Sequence, residues 1–366
     1  MPDMPEPRTD TEIAERLLVY LRGVSSRPKL DYARPPRAIT GGFDTRILAF
    51  RLTGAPTELS IPLILRLYAS DDDPLRAHWE SVVQSTVVSL GYPAPRVLLE
   101  SIESDVLGGA FLVMERFPGT PMLKASTPIE LLLRIPWLLT SLPRVLAEQQ
   151  ARLHSFDPEK LTEAIDATGL PQQGVAAAGV SRRKLSTDGQ LDQIQQRIES
   201  HNVAGLRPAL QWLLENHPGE PPENVICHGD FHPLNVLMKD GRVTGVVDWA
   251  MTVVGDPAFD VASTRVLLGL APMSMPAAID SLASRLRPIL VRRYTEAYER
   301  IRSLDRERLA YYEALRCLME LSWVAEKRLT REGSHRNPWG APREANRLVS
   351  HFQRIAGISP QLPPMH

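Results

Sequence analysis

The middle of the chain reads V-I-C-H-G-D-F-H-P-L-N-V-L-M-K-D-G-R-V-T-G-V-V-D-W-A-M-T-V-V-G-D-P-A-F-D-V-A from Val225 to Ala262, and three of its residues have the chemistry to move a phosphoryl group. Asp230 is followed five positions later by Asn235, and Asp248 comes thirteen positions after that. A carboxylate at Asp230 can accept or orient the proton of an attacking hydroxyl. An amide oxygen and a second carboxylate are hard donors that can hold Mg²⁺ against phosphate oxygens.

Local structure has to bring these groups together. Val225-Ile226-Cys227 and Val236-Leu237-Met238 are short apolar runs, and Lys239-Asp240-Gly241-Arg242 carries the Asp-Gly signal of a hairpin turn. Val243 to Val247 returns as a strand and delivers Asp248 at its end, so one hairpin is expected to place Asp230, Asn235 and Asp248 around a single pocket. Taken alone, His-Gly-Asp is a weak signal, because Asp in turns usually caps or forms an Asx-turn. The combination of His228, Asp230, Asn235 and Asp248 asks for more than capping. His228 reads as a brace for the loop backbone, and His232 stays open between that role and a place near phosphate.

With H-G-D-F-H-P-L-N-V-L and V-V-D-W on the page, the chain resembles the aminoglycoside phosphotransferase family, whose members share a protein-kinase-like fold. The resemblance implies an α+β protein with two lobes, a small antiparallel-sheet N-lobe and a larger, mostly helical C-lobe. It implies a catalytic Asp230 and Mg²⁺ ligands at Asn235 and Asp248. In G-D-P-A-F-D-V-A, Asp256 and Asp260 are expected to brace the catalytic loop and the next helix.

Such a fold needs a turn over the phosphates, a cation on a strand and an acid on a helix. Gly41-Gly42, ahead of an alternating strand at Ile47 to Leu52, suits the turn, although an ordinary hairpin would look the same. Arg66 on Ile61 to Tyr68 stands where the family usually has its phosphate-binding Lys. Arg can fork onto phosphate, yet the two cations are not interchangeable. Pro74 to Leu90 reads as a helix with an apolar stripe of Ala77, Val82, Val83, Val87 and Leu90, and Glu80 on it is the candidate partner of Arg66. A surface pair with Arg76, four residues earlier, is the alternative. The resemblance puts the adenine hinge at Met114, Glu115 and Phe117, with backbone groups doing the recognition; Met114 fits a plain core position equally well.

The remaining sequence sets limits. The chain has 366 residues, a formal net charge of −1 and two cysteines, Cys227 and Cys317. A near-neutral balance implies no nucleic-acid or anionic-membrane partner. Two unpaired cysteines suit a reducing cytoplasm and no structural zinc site. No apolar run reaches membrane-span length and no signal-peptide core is seen. The expected lobes are 1–118, opening on a helix from Thr9 to Arg22, and 119–366, holding the hairpin region 225–262. Pro136 and Pro143 are expected to break the helical stretch before Leu153-His154. The acceptor-binding segments are expected at 158–222 and 273–331, where Arg308, Glu313 and neighbouring charges read as a mixed-charge helix surface. No acidic stripe stands out there, which disfavours a polycationic acceptor.

The expectation is therefore a small-molecule kinase moving the γ-phosphoryl group of Mg·ATP to a hydroxyl, with GTP not separated from ATP by sequence. A catalytically weak, kinase-like nucleotide binder acting as sensor or scaffold is the alternative. Nucleotidyl transfer is a further one, and a protein kinase ranks last because no A-P-E-type segment follows Asp248.

Overall fold

The computed structural model describes residues 9–39, 45–69, 75–123, 128–168, 183–272, 277–330 and 338–365; the expected Gly41-Gly42 turn lies outside them. Two compact units result, one of residues 1–120 with 237–250 and one of residues 121–236 with 251–366.

The first unit is built on a five-stranded sheet. In chain order its elements are α1 (Asp10–Ser25), β1 (Asp31–Ala38), β2 (Thr45–Thr53), β3 (Leu63–Tyr68), α2 (Leu75–Ser89), β4 (Val97–Ser101) and β5 (Phe111–Glu115). The strand order is β1-β2-β3-β5-β4, antiparallel throughout. Helix α1 starts at a capping box: the Thr9 hydroxyl accepts from Glu12 N–H while the Glu12 carboxylate accepts from Thr9 N–H at 2.7 Å. Its buried face, Ile13, Leu17 and Leu21, joins one core with Leu48, Phe50, Leu65, Phe111 and Val113 from the sheet. On α2, Val82 and Leu90 are only half-buried, while Trp79, Glu80 and Gln84 are buried. The buried stripe is rotated from the expected one because a carboxylate and an amide are needed inside.

The hairpin β7 (Val236–Lys239) and β8 (Arg242–Val246) turns through Asp240 and Gly241, both at positive φ (51° and 75°), the geometry of a tight hairpin turn. Residues 237–250 group with the first unit, whereas the expected division ran unbroken from 119 to 366. Val246 N–H donates to Pro93 O at 2.7 Å and the Thr244 hydroxyl to Pro118 O at 2.7 Å. Trp249 is fully buried edge-on against Tyr92, with ring centroids 5.5 Å apart. These contacts tie the segment to the first unit.

The second unit is helical apart from a two-stranded ladder of β6 (Val225–Cys227) and β9 (Val253–Gly255). Its main helices are α3 (Ile135–Leu153), α4 (Glu159–Ala167), α5 (Thr187–Ser200), α6 (Arg207–Glu215), α7 (Pro257–Leu270), α8 (Ala277–Glu299), α9 (Arg306–Thr330) and α10 (Pro342–Ala356). The helical stretch breaks just ahead of Pro136, where a short helix over Pro128–Leu133 ends and α3 begins, but not at Pro143. Pro136 sits in the first turn of α3, where no donor is needed. Pro143 lies inside the helix and leaves the Leu139 carbonyl without its usual donor; Arg293 supplies one at 2.6 Å. Among the described residues no helix is long and apolar enough to cross a membrane.

Helix α9 is buried along most of its length, from Leu309 to Ala325, so its charges are not a surface pattern. Glu313 pairs with Arg265 of α7 through Oε1, and its Oε2 meets His351 Nε2 of α10 at 2.8 Å. Burial alone would raise the Glu313 carboxyl; the bond from His351 and the nearby Arg265 outweigh it and hold the group below the usual carboxylate range. A depressed folded-state value stabilises the fold above the unfolded value of about 4.3 and is lost as pH falls through the folded value. Glu313→Gln should therefore unfold at a lower urea midpoint than wild type at pH 7, by about 1–3 kcal/mol. The two midpoints should converge as pH drops below about 5, and urea titrations from pH 3 to 8 measure this.

Candidate active site

In the first unit the sheet presents Arg66 from β3, in register with Ile47 on one side and Leu112 on the other. The guanidinium is buried. Its Nη1 lies 2.7 Å from Glu80 Oε1 and its Nη2 donates to Asp248 Oδ1 at 3.0 Å. Glu80 is fully buried and its second oxygen accepts from the Tyr68 hydroxyl at 2.5 Å. Glu80 thus pairs with Arg66, and the alternative of a surface Glu is excluded by its burial. Burial, aided by the nearby Asp248, raises the Glu80 carboxyl above its ordinary range although Arg66 opposes this. One planar fork spans two carboxylates, an arrangement a lysine ammonium would have to meet with a single point charge. Asp248 follows strand β8 with φ at 69°, a left-handed conformation uncommon outside glycine and met mainly where neighbours enforce it.

The expected hinge residues fall on and just after β5. Met114 is a core residue, packed with Tyr68, Ala77, Ala110 and Leu112. Glu115 N–H donates to Arg96 O at 2.9 Å and Arg116 N–H to Pro62 O at 2.9 Å, so both donors are spent inside the unit. The Glu115 carboxylate accepts from Arg96 Nε at 3.0 Å. Phe117 covers Gly245 so closely that a Cβ there would come within 2.0 Å of its ring.

In the second unit a buried turn carries Asp230. Gly229 has φ at +77° and an added Cβ would meet Met251 O at 2.1 Å, so only glycine fits between His228 and Asp230. The two preceding amides are satisfied by one carboxylate: Asp260 Oδ2 accepts from His228 N–H at 3.1 Å and Oδ1 from Gly229 N–H at 2.7 Å. Asp260 lies in the first turn of α7 and also meets His154 Nε2 at 3.0 Å, while His154 Nδ1 faces the Tyr298 hydroxyl at 2.7 Å. Asp256 caps α7 through Ala258 N–H at 2.8 Å and pairs with Arg308. Both acids brace the loop and the helix, as their positions suggest.

Asp230 itself is held on every side. Its N–H donates to His228 Nδ1 at 3.3 Å, which gives His228 the bracing role expected of it. The Asn235 amide nitrogen donates to Asp230 O at 2.9 Å and to Oδ2 at 3.2 Å. His232 Nε2 lies 3.3 Å from Asp230 Oδ2, and His232 Nδ1 accepts from Leu234 N–H at 3.2 Å, which places the proton of the neutral ring on Nε2. Burial would raise the Asp230 carboxyl; His232, Arg316 and His228 together drive it far below the usual carboxylate range. The group stays ionised.

Three partners of these residues were not singled out from sequence. Tyr68 steadies Glu80. Arg316 of α9 donates to Gly229 O at 2.7 Å and to Asp230 Oδ1 at 3.0 Å, and Glu320, one turn on, pairs with Arg316 at 2.7 Å. Among the described residues no three His, Cys, Asp or Glu side chains group to hold a metal.

Two substitutions test these halves separately. Arg66→Met leaves Glu80 buried beside Asp248 without its cation and should destabilise by about 3–5 kcal/mol; adding Glu80→Gln should cost much less than the sum of the single changes in a urea double-mutant cycle. Gly229→Ala should cost about 1–3 kcal/mol or more in backbone strain, seen as a lower melting temperature with loss of turnover even in the folded fraction.

Comparison with known proteins gives the same fold. The chain aligns with acyl-CoA dehydrogenase family member 11 of Pongo abelii at 28% identity over 185 residues, which is 50% of this chain and 22% of that protein. It therefore spans about a fifth of the length of that relative. It aligns with aminoglycoside 3'-phosphotransferase of Streptomyces fradiae at 26% identity over 227 residues, covering 62% of this chain and 73% of the relative. A thermostable variant of aminoglycoside phosphotransferase APH(4)-Ia, solved in ternary complex with AMP-PNP and hygromycin B, superposes with a TM-score of 0.53 at 17% identity over 94% of this chain and 98% of its own. This likeness shows the two-lobed, protein-kinase-like α+β fold. The sequence pattern of the APH phosphotransferase enzyme family matches residues 36–312, well over half the chain, so the protein belongs to that family.

Proposed function

We propose that the protein transfers the γ-phosphoryl group of Mg·ATP to a hydroxyl of a small-molecule acceptor. The observation that carries this reading is the clasp between Asn235 and Asp230. One amide nitrogen holds both the backbone carbonyl and the carboxylate of Asp230, the group that would meet the hydroxyl. Family membership supports it, as does a relative of the same fold whose structure holds AMP-PNP.

In this reading the acceptor oxygen bonds to the γ-phosphorus as the bond to the β–γ bridging oxygen breaks. ADP departs, and the hydroxyl proton passes toward Asp230. A carboxylate held so far below its normal range is a weak base, so its main work is orienting the hydroxyl, with the proton moving late. Asn235 and Asp248 are the proposed ligands of Mg²⁺, which when bound would neutralise charge on the phosphates. Arg66, steadied by Glu80 and Tyr68, is the proposed phosphate cation, with Gly41 and Gly42 the proposed cover. Phe117 N–H and the carbonyls beside Met114 and Glu115 are the proposed adenine contacts, since the Glu115 and Arg116 N–H groups are already spent. Catalysis then rests on positioning and fixed charge rather than on a covalent intermediate.

The acceptor is a small hydroxylated molecule rather than a nucleic acid or membrane lipid. One observation favours a second reading, a nucleotide binder with little turnover: Arg66 stands in place of the usual Lys and is bound to Asp248.

Coupled ATP turnover with Mg²⁺ against aminoglycosides, macrolides, nucleosides, choline-like amines and sugars separates the two. Acceptor-dependent turnover is expected, with one phosphate of mass added to product. Asp230→Ala should reduce kcat by about 10³-fold or more with an unchanged melting temperature. Near-wild-type turnover in that variant would sink the assignment. Tight nucleotide binding without transfer would select the second reading.

A further inference from the structure

Arg316 enters the site from far along the chain, and its bonding is more than burial requires. The side chain is 4% exposed, and a cation so deep needs a counter-charge. Glu320, four residues on along α9, already supplies one, with Oε1 2.7 Å from Nη2. The pair is electrically balanced without Asp230. Arg316 nevertheless spends its remaining fork on the catalytic turn: Nη1 on Gly229 O at 2.7 Å and Nη2 on Asp230 Oδ1 at 3.0 Å. One planar group thereby fixes a backbone carbonyl and the adjacent carboxylate in one frame. Only a guanidinium has donors spaced for this.

The two oxygens of Asp230 are consequently unequal. Oδ1 is tied by a charge-assisted bond at 3.0 Å. Oδ2 has longer contacts, 3.2 Å to Asn235 Nδ2 and 3.3 Å to His232 Nε2. We propose that Arg316 is a positioning residue for phosphoryl transfer: by clamping Oδ1 to the Gly229 carbonyl it fixes the Asp230 rotamer and leaves Oδ2 as the oxygen that meets the acceptor hydroxyl. The proposal rests on the reading of Asp230 as the group that orients that hydroxyl. Glu320 neutralises the clamp and touches neither the Gly229 carbonyl nor the Asp230 carboxylate in the bonds described.

Arg316→Met, Arg316→Lys and Glu320→Gln, made in the full chain, test it. Turnover is read with the acceptor found in the panel above, or with water as acceptor where none is found, beside melting temperatures and crystal structures of wild type and Arg316→Met. Arg316→Met should lower kcat by roughly thirty-fold, the loss of one charge-assisted bond at the transition state, and should leave the KM for ATP within about twofold. Arg316→Lys, which can hold Oδ1 but not both partners, should recover part of that loss. Glu320→Gln should lower the melting temperature as much as Arg316→Met while costing kcat far less. In the Arg316→Met crystal the Asp230 carboxylate should leave its wild-type rotamer.

A purely structural Arg316 would instead make kcat follow melting temperature across all three variants, with Asp230 unmoved, and that result overturns the proposal. If Arg316→Met does not fold, Arg316→Lys carries the test: wild-type kcat in that folded variant, where one ammonium cannot bridge Gly229 O and Asp230 Oδ1, refutes the clamp. The underlying reading fails separately, when Asp230→Ala turns over like wild type; the rotamer in the crystal still decides whether Arg316 positions Asp230.

Discussion

A single buried carboxylate holds the turn that carries Asp230 in the second unit. Asp260 accepts both consecutive amides that lead into Asp230, and it does so with no exposure to solvent. An ionised carboxylate in such a place costs several kcal/mol unless its lone pairs are filled. Here the two amides fill two sites and His154 a third, and the group titrates below its ordinary range despite burial, chiefly through the bond and charge of His154. Its place in the first turn of α7 adds the favourable field of a helix N-terminus. The backbone between His228 and Asp230 is therefore not free to choose its conformation. Gly229 is the residue that can follow the path the carboxylate imposes, with φ positive and Met251 O against its open side.

The first unit solves a related problem with a cation. Arg66 sits on a central strand, where any buried charge must be compensated across the sheet or from a covering helix. Glu80 of α2 compensates it, Tyr68 takes the remaining oxygen of Glu80, and Asp248 takes the other arm of the guanidinium. The three side chains cannot be varied one at a time. Removing Arg66 would leave Glu80 buried without its cation and the partly exposed Asp248 without its partner, and removing Glu80 would leave Arg66 tied to Asp248 alone. That coupling gives Arg66 in place of Lys a physical basis: a lysine would have to share one ammonium between two acids that the fork serves with separate nitrogens.

What was legible in the sequence follows the range of the interactions. The loop from Val225 to Ala262 could be read because its signals are local: an Asp-Gly turn, short apolar strands and acids at fixed offsets. The helix opening at Thr9 was readable for the same reason. Glu80 could be paired with Arg66 only by analogy of position, and its burial was not foreseen because an acidic residue on an amphipathic helix normally faces water. Arg316 was missed because its partners lie 86 and 87 residues away, beyond any periodicity. One signal was available. From Leu309 to Val324 the helix is apolar on nearly every side, with Leu309, Tyr311, Tyr312, Ala314, Leu315, Cys317, Leu318, Met319, Leu321 and Val324 all buried. A helix without a polar face is interior, and charges on it must be paired. Reading Glu313 and Arg308 as surface charges overlooked that constraint. The break expected at Pro143 failed for a reason equally remote from local sequence, the Arg293 side chain that satisfies the Leu139 carbonyl.

The two reactive carboxylates end up in matched electrostatic situations. Asp230 faces Arg316, His232 and the Asn235 amide; Asp248 faces Arg66. Each acid is paired with a buried arginine that is itself balanced by a glutamate, Glu320 in one case and Glu80 in the other. Both glutamates are pushed above their ordinary range by burial. Within each unit the charges are held by fixed partners, and such preorganised charge is what electrostatic stabilisation of a transition state requires. Arg66 lies on strand β3 and Glu80 on α2, while Arg316 and Glu320 lie on α9, and charges set on regular elements hold their distances better than charges set on loops.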